Sequence, residues 1–204
     1  MARWWRAGVD DRTAQVLLEG VLLLSMVVAG IGSLLAVIGT VRDRTVERSV
    51  PLAPEHVDLG PGAGGYSVEA ATGTATLDGA GGGALIGSVA PQVLGAAVVV
   101  GTAYLLWRVV RSLREGDPFN RRNARRLTAA ALIVMIGGTA VGVVDAMVGL
   151  VFATEAAEAL GDDSAVAPGT GLSFLPIAIG LVLGVLAEVF RRGAAMREEL
   201  EGLV

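Results

Sequence analysis

Cysteine and lysine are both missing from the 204 residues, and all sixteen basic side chains are arginine. Without cysteine there are no disulfides, no thiolate metal sites and no cysteine nucleophile. A single histidine, His56, argues against a histidine cluster. Aromatics make up 4% of the chain and charged residues only 18%, while 53% is hydrophobic and mean hydropathy is +0.63. That balance lies on the membrane side of the soluble range. The 29 glycines suit close helix contacts.

Four stretches stay free of charge long enough to cross a bilayer, for which about 20 apolar residues are needed. The expected spans are residues 16–41, 85–110, 125–153 and 171–191, and the apolar run of the third, from Leu127 to about Thr154, is interrupted only by Asp145. The first run reads as a span rather than a cleaved signal peptide. Its apolar stretch exceeds the usual signal core of roughly 7–15 residues, and no persuasive cleavage site follows. The expected fold is all-α and transmembrane: one four-span domain, a four-helix bundle, over residues 1–204.

Arginine placement predicts its orientation. Thirteen arginines fall in the N-terminal segment, the 108–126 connection and the tail, against three in the loop between the first two spans. By the positive-inside rule, both termini, the hairpin 111–124 and the tail 192–204 face the cytoplasm, and loops 42–84 and 154–170 face outward. A bacterial cytoplasmic (inner) membrane location is expected. Loop 42–84 alternates in β fashion around residues 45–50 and 66–77, flanking the turn signal "GPGAGG", so a small two- or three-stranded cap is expected there. His56 beside Glu55 and Asp58 reads as an exposed polar turn. The acidic loop with Glu155, Glu158, Asp162 and Asp163 lacks calcium-loop spacing.

Residues 108–126 hold seven arginines against Glu115 and Asp117, a net charge of +5. Arg111, Arg114, Arg121, Arg122, Arg125 and Arg126, with Arg191, Arg192 and Arg197 of the tail, are the candidate contacts for lipid or a protein partner. Direct nucleic-acid binding is not expected, because no aromatic interleaving or DNA-reading element accompanies the charge. Within "GDPFNRRN", Gly116 ends one helix, Asp117, Asn120 or Asn123 caps the next, Pro118 starts the turn and Phe119 packs it back.

Charge at membrane depth is costly and singles out Glu19, Asp145 and Glu188. Glu19 and Glu188 read as interfacial ion pairs, the latter with Arg191 and Arg192. Asp145 is either a structural or protonated carboxyl, reaching a hydroxyl such as Ser25 or Ser33, or the ion site of an oligomeric small-solute pathway. Gly138 with Gly142 and Gly180 with Gly184 have small-xxx-small spacing and predict close helix packing. Pro176 lies near the start of the fourth span. There is no Ser-His-Asp set, HExxH or Walker sequence, so no enzyme, metal site or cofactor is expected.

"REGDPFNRRNARRL" at 114–127, followed by "LPIAIGLVLGVLAEVFRRGAAMREELEGLV" at 175–204, resembles the DUF2975 family of bacterial membrane proteins across almost the whole chain. Asp117, Pro118, Phe119, Asn123 and Leu127 match the family's central turn, and Phe190 and Gly193 its last helix exit. Glu201 and Gly202 depart from the polar residues usual before the terminal "LV". The family has no established activity. Its members are often encoded beside a small Xre-type helix-turn-helix regulator, so the resemblance implies an accessory that holds or modulates such a protein at the membrane. A homo-oligomer and contact with membrane lipids complete the expected partners.

Overall fold

The computed structural model describes residues 11–52, 71–114, 119–160 and 173–201. Helix α1 (Asp11–Asp43) leads into strand β1 (Thr45–Leu52), which pairs with β2 (Ala71–Asp78). Helix α2 (Gly82–Arg114) follows. Then α3 (Arg121–Leu132), a π-helical turn (Ile133–Gly137) and α4 (Gly138–Leu160) run on without a break, and α5 (Leu175–Glu201) closes the described chain. The architecture is the expected four-helix one with a small open β element between the first two helices.

Three helical stretches are long and apolar enough to cross a membrane: Val16–Asp43, Gly82–Ser112 and Arg121–Glu158. Along α1, Leu17, Val21, Leu24, Val28, Leu35 and Ile38 are all exposed. Such a continuous apolar surface is compatible with lipid and costly in water, and a helix satisfies its own backbone there. The chain is a multi-pass membrane protein. Helix α5 is uncharged only from Leu175 to Ala187 before Glu188, Arg191 and Arg192, a shorter apolar stretch than in the other three. The long stems of its two arginines suit the headgroup level.

The helices group into two compact units. The first joins Met1–Leu34, Leu94–Thr139 and Phe174–Val204. In it Val109, Leu127 and Ala187 form a buried cluster, with Leu106 and Phe190 packed against it, so α2, α3 and α5 meet at one apolar point. Glycines set how closely they approach. A Cβ on Gly180 would lie 2.7 Å from Met135 Cβ and 3.0 Å from the Ala131 carbonyl oxygen, and one on Gly138 would lie 2.7 Å from Pro176 Cβ. Gly137 meets Val98 as tightly, at 2.8 Å. Gly142 and Gly184, the second members of the spaced pairs, meet nothing within 4 Å.

The second unit joins Leu35–Val93 and Ala140–Ser173. Its strands are antiparallel, with Thr45 opposite Asp78 and Leu52 opposite Ala71. Arg44, at φ 50°, turns the chain sharply from α1 into β1, and Gly79, at φ 68°, turns it out of β2. The Ala80 N–H donates to the Arg44 carbonyl at 2.9 Å and closes the base of the pair. Val46, Ala80 and Phe152 form the buried core here, with Ala84 and Leu85 against it. A two-stranded ribbon is marginal alone, and this packing on helices supplies its support.

Candidate functional site

The arginine-rich end of the first unit is organised by Asn123, whose side chain is wholly buried. Asn120 sits before α3 in extended conformation, and its side-chain oxygen accepts from the Asn123 N–H at 2.8 Å, so of the three capping candidates Asn120 is the cap. Asn123 then points inward. Its amide Nδ2 donates to Ser112 Oγ of α2, and Ser112 donates in turn to the Val109 carbonyl at 2.7 Å. On the other side Asn123 Oδ1 accepts from Arg126 Nη1 at 3.0 Å, and the same nitrogen donates to the Arg108 carbonyl at 3.1 Å. A buried amide left unpaired would be expensive, and this network answers it from two helices.

One helical turn away, Phe119 of the hairpin meets α5. The Phe119 and Phe190 rings lie 5.2 Å apart, tilted by 42°. A Cβ on Gly193 would lie 2.6 Å from Phe119 Cδ1, so the ring occupies space that only glycine leaves open. Phe119, Asn123, Leu127, Phe190 and Gly193 therefore converge in space although two segments carry them in sequence. Gly116, Asp117 and Pro118 lie outside the described residues, as do His56, Asp162 and Asp163.

The arginines divide into two sets by surroundings. Arg121, Arg122 and Arg125 are exposed on α3, as are Arg191, Arg192 and Arg197 on α5, while Arg126 is half-buried and held by the clamp. Glu188 accepts from Arg191 Nε and Arg192 Nε, each at 2.8 Å, three and four residues on along the same helix. Toward α2, Arg108, Arg111 and Arg126 surround a concavity of about 380 Å³ whose other walls are Tyr104, Trp107 and Ser112. The Arg108 guanidinium lies 5.8 Å from the Tyr104 ring centre and donates to its hydroxyl at 3.0 Å; that of Arg111 lies 5.7 Å from the Trp107 ring centre. Cations over aromatic faces of this kind are mutually attractive. The side chain of Arg114 lies outside the described residues, and Glu19 is half-buried on α1.

In the second unit Asp145 pairs with Arg48 of β1. Arg48 Nη1 also donates to the Asp145 carbonyl at 3.2 Å. Strand periodicity puts Val46 and Arg48 on one face of β1. Helix periodicity puts Asp145, Gly149 and Phe152 on one stripe of α4. The two sets meet: Val46 packs on Phe152, Arg48 reaches Asp145, and a Cβ on Gly149 would crowd Arg48 Nη1 at 3.2 Å. Ser25, one of the two hydroxyls considered for Asp145, donates to its own helix at the Leu22 carbonyl. Among the described residues no three or more acidic or histidine side chains gather in a way that could hold a metal ion.

Sequence reasoning did not find the roles of Ser112, Arg48 and Gly137. The first two act through partners 11 and 97 residues away, with no local spacing to announce them. The family model of DUF2975, described as a protein of unknown function, matches residues 68–204, which contain every residue of the clamp and of the Phe119 contact. Comparison with curated proteins and with solved structures gave no match.

Proposed function

This chain belongs to the DUF2975 family of multi-spanning membrane proteins, and we propose that it is a nonenzymatic membrane anchor that recruits a small cytoplasmic helix-turn-helix regulator. The observation that carries the reading is the division of labour among the arginines. Arg126 is used inside the fold, whereas Arg121, Arg122 and Arg125 stand exposed on α3, and Met196 and Arg197 are exposed on α5. Three arginines on the first turns of a clamped helix form a pre-organised basic face, and apolar Met196 adds contact area.

Thirteen arginines against three favour placing that face, with both termini, on the cytoplasmic side of a bacterial inner membrane. The helix that reads DNA in such regulators is itself basic, so complementarity directs contact to an acidic flank and leaves the DNA-reading surface accessible. The anchor then sets where the regulator resides. A pathway for small solutes through an oligomer gains less support, because Asp145 already holds Arg48.

A photo-crosslinking residue in place of Arg122, in cells carrying the full chain, tests the proposal. The expected product is one dominant small DNA-binding protein, captured at least about tenfold less when Arg121 and Arg125 are changed to glutamate beside that crosslinker. Arg126 is left unchanged because its loss would disturb the clamp. Capture of the chain alone, or capture indifferent to the reversal, would remove the reading.

A further inference from the structure

The concavity between α2 and α3 carries chemistry that partner recruitment does not use. Arg108, Arg111 and Arg126 converge on it within about 380 Å³, and Tyr104 and Trp107 form its wall. We propose that this is a binding pocket for a phosphate group, carried on a membrane phospholipid or free in solution.

Three observations support phosphate as the occupant. Among the described residues neither Arg108 nor Arg126 pairs with a carboxylate; the partners they have are a phenol hydroxyl, a carbonyl and an amide oxygen, all neutral. A guanidinium offers five N–H donors, more than these bonds use. Planar forks also match the oxygens of a phosphate better than a point charge does. Second, the arginines are held in place before any ligand arrives. Arg126 is fixed by Asn123 and by the Arg108 carbonyl, and Arg108 and Arg111 lie against Tyr104 and Trp107. Pre-organisation of this kind lowers the entropy cost of binding. Third, the pocket lies at the end of the apolar span Gly82–Ser112. Tyrosine and tryptophan at a span end mark the headgroup level, where phosphate is concentrated.

The pocket residues are distinct from the exposed trio Arg121, Arg122 and Arg125, so the two proposals fail independently. Replacing Trp4 and Trp5 by phenylalanine leaves Trp107 as the sole tryptophan, beneath Arg111 and inside the pocket. The full chain with these changes would be placed in maltoside detergent micelles, which carry no phosphate, and Trp107 emission followed while phosphatidylglycerol is added. Separate arms would use inorganic phosphate, and oleate as an anion without phosphorus. The proposal expects a saturable emission change that weakens about tenfold in Arg108→Gln and in Arg111→Gln, the equivalent of one lost charge-assisted bond. It expects no weakening in Arg121→Gln/Arg122→Gln/Arg125→Gln. Saturation by phosphatidylglycerol assigns a lipid occupant, and saturation by inorganic phosphate alone assigns a free one. No saturable response to either would overturn the proposal, as would oleate matching phosphatidylglycerol or the exposed triple variant losing as much as the pocket variants.

Discussion

Asn123 Nδ2 donates to Ser112 Oγ across the interface of α2 and α3, a buried bond between residues eleven apart in sequence. The bond joins the two sides of the arginine-rich hairpin, and Arg126 locks it from the other side. The exposed arginines of α3 owe their fixed position to this polar centre.

Asn123→Ala removes one hydrogen-bond partner each from Ser112 and Arg126, leaving them, among the described residues, only the Val109 and Arg108 carbonyls. The expected loss is about 2–3 kcal/mol, read as a lower midpoint of thermal unfolding in detergent. Ser112→Ala combined with Asn123→Ala should cost less than the two single changes added together, since both act through one bond. Strict additivity would contradict the clamp.

Glycines in apparently similar helix contexts should respond differently. Gly193→Ala drives a methyl into the Phe119 ring and is expected to destabilise by about 1–3 kcal/mol. Gly142→Ala meets open space and should be neutral or gain up to about 1 kcal/mol. The same thermal assay ranks them, and equal effects would reject the close approach of Phe119.

In the second unit, Arg48 holds both the side chain and the carbonyl of Asp145. Arg48→Ala should therefore speed hydrogen exchange in residues 45–52 more than Asp145→Asn does, because asparagine still offers an oxygen and the carbonyl contact remains.

Sequence patterns made some of this architecture legible and left other parts dark for physical reasons. Long apolar helices register as charge-free runs because bilayer thickness sets their length, and the strands register as alternation because one face of β1 packs inward through Val46. The spaced glycines pointed to close packing, yet Gly180 and Gly138 meet their neighbours while Gly184 and Gly142 do not; Gly137 and Gly193, outside any spaced pair, are as tight. Spacing assigns a glycine to a face, and only the neighbouring helix decides whether that face is crowded. Asn123 looked like one of several caps because its identity suits a cap. Its burial depends on where Ser112 and Arg126 arrive, which no local window contains.

Recruitment of a cytoplasmic protein requires the α3 arginines to face the cytoplasm, and the cysteine-free chain allows that to be measured directly. Single cysteines would replace Arg122 on α3 and Ser49 on β1, one per protein, and intact cells would be treated with a membrane-impermeant maleimide. The account predicts labelling at position 49 in intact cells and at position 122 only after the membrane is opened. Labelling of position 122 in intact cells, with position 49 protected, would place the basic face outside and contradict the recruitment of a cytoplasmic partner.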